Sequence, residues 1–599
     1  MATNRASGWL ATSLAGATLA VGLATPSQAA PATPGGCPRR TLGPVVANIP
    51  SVEVRPQFRL NGQAFPDAAG GVAVFTLWAS QPSDLFDGPQ LSLGTTNGPP
   101  SPVRVVPGVY DVYYSWQGGN DVPRNQLTRI LRGVSIRRDR ALNINVPMIT
   151  MGGVKHHNGL PFVDDGGTAA LSLRRADGRG TVPLGGILPS EFLVRLIPGA
   201  YTLEYDWSEG ATLPRNRHAV LRRLSLASNL ANLVVNVPSV AQDFALLHNG
   251  GAFPGTVYAH GDVVLRRNDR EEVMVGSSHE PPTTVVVIPG TYEAHWHHVA
   301  GATVPRNEDA RFRRGLVVDG SPLVIDVPSL EIAGDILVNG QSPPSTAYED
   351  ARLSLASPDG SDHAYLSQTQ YGAYSVRVVP GLYDIVYEHQ AGGSVLPSNP
   401  RATLGRWRVA AQPNRTIDIP AGTYQGSFAL NGEPFPGSAY ESGNVYLLPL
   451  KGDGAPVLIG PTHYGAFERR VLPGLYRSAF GHEAGGSFIP TNTLTTFGPV
   501  RRVYQGDGAA AADNVLDVLA ATLTVTYQHN GVPLPEGGPQ NARLHLQRGD
   551  NYLQLLDSAY GTVDRVVMGG TFDLFYQYRG GPDLPRNAFM RFGCWTLVP

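Results

Sequence analysis

Three short markers recur in fixed order six times along the 599 residues, and that recurrence limits the fold more than any other feature. Asn-Gly begins at Asn61, Asn158, Asn249, Asn339, Asn431 and Asn530. Pro-Gly comes next at Pro107, Pro198, Pro289, Pro380 and Pro473, with Gly569-Gly570 in the last copy. Pro-Arg-Asn then falls at Pro123, Pro214, Pro305 and Pro585, varied to Pro-Ser-Asn at Pro397 and Pro-Thr-Asn at Pro490. Successive Pro-Gly positions lie 91, 91, 91, 93 and 96 residues apart. A period of this length is a whole small domain copied in tandem; a propeller blade needs only about 40–50 residues.

Inside each copy the pattern is that of a β-strand. Tyr110, Val112, Tyr114 and Trp116 share one face, against Asp111, Tyr113 and Ser115 on the other. Repeat two sets Tyr201, Leu203, Tyr205 and Trp207 against Thr202, Glu204 and Asp206. Alternation with period two marks a half-buried strand. Pro-Gly suits the centre of a type II turn, where proline fixes φ and glycine accepts a positive one. Asn-Gly before a new run is a hairpin signal. About seven short strands with turns every 8 to 12 residues describe a β-sandwich. High glycine (70) and proline (51) fit many turns and few helices.

The expected fold is therefore all-β: six tandem seven-stranded sandwiches of about 91 residues, as an open array or a closed ring. "VVANIP" (45–50) matches "LNINVP" (142–147), "LVVNVP" (233–238), "LVIDVP" (323–328) and "TIDIP" (416–420). On that match each unit is expected to open with this strand and close with the strand after Pro-Arg-Asn. The boundaries are then 37–136, 137–227, 228–319, 320–411, 412–506 and 507–599. Connections of a few residues disfavour a flexible string of domains.

Residues 1–30 read as a secretory signal peptide. Arg5 is the positive start, "WLATSLAGATLAVGLA" (9–24) the apolar stretch, and Ser27 and Ala29 the small residues before cleavage. The apolar run is short for a span of about 20 residues, and no later segment approaches one. The expectation is a secreted protein, in the periplasm, at the cell surface or outside the cell, with no membrane span. A net charge of −2 gives no field that favours nucleic acid. Arginines far outnumber the two lysines, Lys155 and Lys451, a usage read as coding bias in a high-GC bacterium.

"YGAYSVRVVPGLYDIVY" (371–387) and "HYGAFERRVLPGLY" (463–476) resemble the carboxypeptidase regulatory-like, transthyretin-like β-sandwich family. The shared signature is a glycine, an aromatic, and a strand ending in hydrophobic-Pro-Gly-x-Tyr. Similar tandem units occur in exported proteins of myxobacteria. The resemblance implies a sandwich fold and a surface-exposed module. It carries no catalytic residues to transfer, and no peptidase domain accompanies the repeats.

Motifs for common chemistries are missing. There is no Cys-x-x-Cys or His-Glu-x-x-His, neither lysine follows a glycine as a phosphate-binding loop requires, and no Gly-x-Ser-x-Gly elbow occurs. "HWHH" (295–298) offers His295 and His297 on one strand face as a metal-chelating pair. Against that, His298 aligns with Trp116, Trp207, His389, His482 and Tyr578, an aromatic packing position. The acidic turns at 163–167 and 357–362 lack calcium-loop spacing. Arg124-Asn125, Arg215-Asn216, Arg306-Asn307 and Arg586-Asn587 form a row of pairs that could grip carboxylates or sugars. The plainer reading is that asparagine caps its turn while arginine pairs with a neighbouring strand or unit, since Ser398 and Thr491 replace arginine while asparagine stays. Strand aromatics could make sugar platforms, but in half-buried strands they more often belong to the core.

Cys37 and Cys594 lie near the two ends of the array. A rod of six units of about 25–35 Å would separate them by well over 100 Å, whereas a disulfide needs Cα atoms within about 7 Å. A ring would bring them side by side. The functional expectation is a non-enzymatic exported repeat protein without cofactor, structural or adhesive at the cell envelope. The alternative is a carbohydrate- or peptide-binding protein using strand aromatics and the Arg-Asn loops. The partner in either case is an extracellular or envelope glycan or protein.

Overall fold

A computed structural model describes residues 39–41, 44–66, 71–80, 91–267, 270–280, 284–451, 454–506, 514–533, 541–548, 551–557 and 561–598. The expected signal peptide and Cys37 lie outside the described residues. Nearly all regular structure is β-strand, joined by three short 3-10 turns. Six clusters of buried hydrophobic residues form six separate cores.

Unit one shows the plan. One sheet runs in the order Leu91–Thr95, Val72–Ala79, Gly108–Gly118, Thr128–Ile136, all antiparallel. The facing sheet centres on Val52–Leu60, with Val103–Val105 antiparallel on one side and Arg140–Val146 parallel on the other. The alternation in Gly108–Gly118 places Tyr110, Val112 and Tyr114 in the core between the sheets. Burying each such ring removes about 150–250 Å² from water, which makes this strand the energetic centre of its sandwich.

Strand pairing corrects the expected phase. The strand ending in Val-Pro does not open its unit; it is the last strand of the unit before it. Arg140–Val146 pairs with Val52–Leu60, Leu230–Val237 with Ile149–His157, and Leu323–Val327 with Phe244–His248. Ile417–Ile419 and Val515–Val518 do the same one and two units further on. The repeat alone could not settle this, because a period has no marked beginning.

In unit six the place of this strand is taken by Val45–Ile49. This strand pairs in parallel with Ala520–His529 in register Val45↔Val525 to Ile49↔His529. Val45, Ala47 and Ile49 are buried in the sixth core, beside Leu523, Val525 and Tyr527. Arg39–Thr41 adds a further strand alongside Met590–Val598. The first and last units are thus joined and the array closes head to tail, the ring rather than the open array.

Two turn assignments had different outcomes. All six Asn-Gly pairs have positive φ at both residues, as in Asn61 (49°) and Gly62 (81°), the geometry of the expected hairpin turn. The asparagine also ties its turn to the start of the next unit: Asn61 Oδ1 accepts Met148 N–H at 2.8 Å, and Asn530 Oδ1 accepts Ser51 N–H at 2.8 Å across the closure. The Pro-Gly type II turn is not formed, for Gly108, Gly199, Gly290, Gly381 and Gly474 do not have positive φ. Space explains these glycines better: a Cβ on Gly381 would lie 3.0 Å from the ring of Tyr383, one on Gly108 2.7 Å from Met590 and 3.3 Å from the ring of Tyr110, and one on Gly199 or Gly290 2.9–3.0 Å from Arg175 or Arg267. The missing side chain lets the tyrosine fold back over its own strand.

Candidate functional site

That fold-back builds a joint between successive units. The residue before Pro-Gly plugs into the core of the preceding unit: Ile197 into the first, Ile288 into the second, Val379 into the third, Leu472 into the fourth and Met568 into the fifth. Val106 of unit one plugs into the sixth. Each plug has its N–H accepted by the asparagine of the preceding Pro-x-Asn loop, at 2.7–2.8 Å: Asn125 to Ile197, Asn216 to Ile288, Asn307 to Val379, Asn399 to Leu472, Asn492 to Met568 and Asn587 to Val106.

The other end of each amide meets the tyrosine. Asn307 Nδ2 donates to Tyr383 Oη at 2.9 Å, and Tyr383 in turn donates to the plug carbonyl of Val379 at 2.8 Å. Asn125–Tyr201, Asn216–Tyr292, Asn399–Tyr476 and Asn587–Tyr110 repeat the bond. Unit six carries Phe572 at this position, so Asn492 keeps the plug bond without a tyrosine partner, beside the Thr491 N–H bond to Val566 O at 2.9 Å. Burial pushes the Tyr292 hydroxyl up to about 12 and Tyr383 higher still. Backbone bonds flank the amide: Arg306 N–H donates to Arg377 O and Arg586 N–H to Arg104 O.

Asn125, Asn216, Asn307 and Asn587 are therefore not ligand contacts. Each is wholly buried with its amide spent on the next unit. Rather than only capping their own turns, as the plainer reading had it, they reach across the joint; Asn125 Nδ2 also bonds Thr128 Oγ1 of its own loop at 3.3 Å. Their arginines pair with the neighbouring unit through the backbone. Arg124 donates its side chain to Asn120 at 2.7 Å, Arg215 and Arg306 are half-buried, and Arg586 is exposed. The strand aromatics proposed as sugar platforms are core: Tyr110, Tyr114, Tyr201 and Tyr205 are at most 1 % exposed.

Two joints carry an added carboxylate that the sequence did not single out. Asn216 Nδ2 donates to Glu271 at 2.8 Å and Asn307 Nδ2 to Asp362 at 2.6 Å. Burial raises both carboxyls above their ordinary range, only partly offset by Arg267 at Glu271 and by the Asp309 N–H at Asp362. The equivalence of positions 271 and 362, one repeat apart, was the available signal.

His295 and His297 do share one face of Gly290–Ala300, and they converge on Asp309. His295 Nδ1 lies 2.9 Å and His297 Nε2 3.0 Å from the same oxygen, Asp309 Oδ1. Arg266 donates to Asp309 Oδ2. Burial alone would raise this carboxyl, but the bonds from His295, His297 and Arg266 hold it well below the usual range. An arginine stands where a cation would need open ligands, and among the described residues no group of three or more His, Cys, Asp and Glu side chains is set to hold a metal. The cluster joins two strands of the third unit's sheet, His260–Arg266 and Gly290–Ala300, to the bend that leads into Ala310–Val318. His298 Nε2 donates to Gly301 O at 2.9 Å, as Trp116 bonds Gly119 O and Tyr578 bonds Gly581 O. Cys594 is disulfide-bonded.

No protein-family profile matches the chain, and no curated protein matches it. Among solved structures, the Bacillus anthracis TIE protein aligns over 64% of this chain and 74% of its own at 9% identity, with a TM-score of 0.12. A streptococcal ancillary pilin aligns over 47% of this chain and 98% of its own at 9% identity, TM-score 0.15. Two B repeat units of the collagen binding protein of Staphylococcus aureus align over 61% and 98% at 10% identity, TM-score 0.12. At these scores the likenesses carry no argument about what this chain does; its sandwich repeats stand on its own strands and cores.

Proposed function

We propose that this chain is an exported, non-enzymatic scaffold: a closed ring of six sandwiches with a structural or adhesive role at the bacterial cell envelope or outside the cell. The observation that carries the reading is the joint. The most regular polar chemistry in the chain, one asparagine per unit, is consumed in holding units to each other, and the sixth joint repeats the other five. Rigid repetition favours presenting surfaces at fixed spacing over turning over a substrate. The carboxypeptidase regulatory-like assignment belongs to the same proposal and rests on the Pro-Gly-x-Tyr motif.

A Cys37–Cys594 disulfide as the covalent clasp of the ring is part of it. Cys594 is disulfide-bonded, and Cys37 is the only other cysteine of the sequence. Export supplies the oxidising compartment such a bond needs. Antibody labelling of intact and fractionated cells of the producing bacterium tests the location. Chain in the periplasm, on the surface or in the medium, beginning near residue 31, is expected; chain retained in the cytoplasm with residues 1–30 attached overturns it.

A further inference from the structure

Three tyrosines take no part in core, joint or cluster. Tyr258, Tyr348 and Tyr440 are 83%, 87% and 87% exposed, at equivalent positions of units three, four and five, in "PGTVY", "PSTAY" and "PGSAY". One turn presents all three. The residue two before the tyrosine accepts the tyrosine N–H on its hydroxyl at 3.2 Å: Thr256, Thr346 and Ser438. The carbonyl of that residue also accepts the N–H of the residue after the tyrosine, at 3.1–3.2 Å. A glycine at positive φ presses on each turn from the loop that leads to the joint: a Cβ on Gly301, Gly392 or Gly485 would come within 2.4–2.6 Å of the tyrosine carbonyl. The turn is held from both sides while its ring points into water, and none of the three hydroxyls bonds another described residue.

A ring so exposed adds nothing to a core, and a turn so fixed is ready for contact without an ordering cost. We infer that these turns bind a neutral polysaccharide chain, each ring stacking on a sugar face. Charge does not drive the contact. The adjacent carboxylates of Glu349 and Glu441 are spent on loop N–H groups, Ser394 at 2.7 Å and Gly486 at 3.1 Å, and the net charge is −2. A proline-rich peptide fits less well, since it docks in a groove between closely set aromatics, and these three turns lie one unit apart. Units four and five add a second exposed ring, Tyr371 and Tyr464, each ending a 3-10 turn closed by Gly372 or Gly465. Because the same joint relates units three to four and four to five, the rings recur at a regular step, which suits a polymer with a repeating face and gains from multivalency.

This inference names the partner of the proposed scaffold and rests on that reading. The test is affinity electrophoresis of the full chain in native gels containing laminarin, dextran, galactomannan or arabinoxylan, with poly-L-proline as a fifth gel. Retardation in at least one polysaccharide is expected, weakened about tenfold by Tyr348→Ala and lost in the triple variant Tyr258→Ala/Tyr348→Ala/Tyr440→Ala. The triple variant should elute from size exclusion as the parent does, since the rings are exposed. No retardation by any of the four, equal retardation of parent and triple variant, or tyrosine-dependent retardation in poly-L-proline alone overturns it. Any of those leaves the closed ring and its location standing, because neither is read by the gel.

Discussion

Truncating Ile49 to alanine separates closure by the N-terminal strand from every open arrangement. Ile49 is fully buried and sits among sixth-unit residues, although the next strand along the chain, Val52–Leu60, belongs to unit one. Removing a buried isoleucine down to Cβ costs about 2–5 kcal/mol through lost burial and the cavity left behind. At about 3 kcal/mol the opening constant of the affected unit rises roughly a hundredfold. Native-state hydrogen exchange read by mass spectrometry locates the loss. The faster exchange is expected in Ala520–His529, which pairs with the mutated strand, and in Thr562–Met568 beyond it. Val52–Leu60, only three residues away in sequence, should keep its protection. Ile144→Ala is the internal control: Ile144 is a fully buried isoleucine of the equivalent strand Arg140–Val146 and should loosen Val52–Leu60 instead. If Ile49→Ala loosens Val52–Leu60 and leaves 520–529 unchanged, the N-terminal strand does not belong to unit six and the reasoning fails.

The joint, the cluster and the clasp have consequences of their own. Asn307→Ala leaves the Val379 N–H buried without an acceptor and should lower stability by about 2–4 kcal/mol in urea titrations, whereas Tyr383→Phe, the arrangement already present at Phe572, should cost about 1 kcal/mol or less; equal effects would contradict the joint as drawn. Asp309→Asn should destabilise unit three by about 1–3 kcal/mol at pH 7. Because the folded carboxyl is held below its unfolded value, the parent's advantage is present above about pH 4 and is lost as pH falls below it; an advantage that grows on acidification would refute the cluster's role. Glu271 and Asp362 shift the other way, so Glu271→Gln should stabilise the second joint most above about pH 5 and least below about pH 4, as read by thermal melts across that range. Non-reducing peptide mapping of the monomer should recover one fragment containing both cysteines, and two free thiols would remove the proposed clasp.

The architecture was legible because its signals are local. Period-two alternation in Gly108–Gly118 and its copies marks a half-buried strand wherever it occurs, and Asn-Gly needs only its own two φ angles. The phase was not legible, because the parallel pairing of Arg140–Val146 with Val52–Leu60 joins segments about 85 residues apart with no turn between them to announce it. Pro-Gly misled for a related reason: glycine was read as a conformational need at its own position, when the need is room for a tyrosine ring two residues on. Of the candidate site, the persistence of asparagine in all six loops was visible, and its use was not. Asn125 meets Tyr201 at a separation of 76 residues, beyond any local rule. His295 and His297 were correctly placed on one face, but their partner Asp309 comes from the next strand's approach and changes what the pair can do.

Small-angle X-ray scattering of the monomer in solution tests head-to-tail closure most directly. Six units of about 30 Å wound into a ring give a largest dimension of about 90 Å and a pair-distance curve that falls smoothly to it; laid end to end they give about 180 Å with a long tail. The compact value is expected, since Val45–Ile49 and the Asn587–Val106 bond tie unit one to unit six. A largest dimension near about 180 Å would contradict the ring.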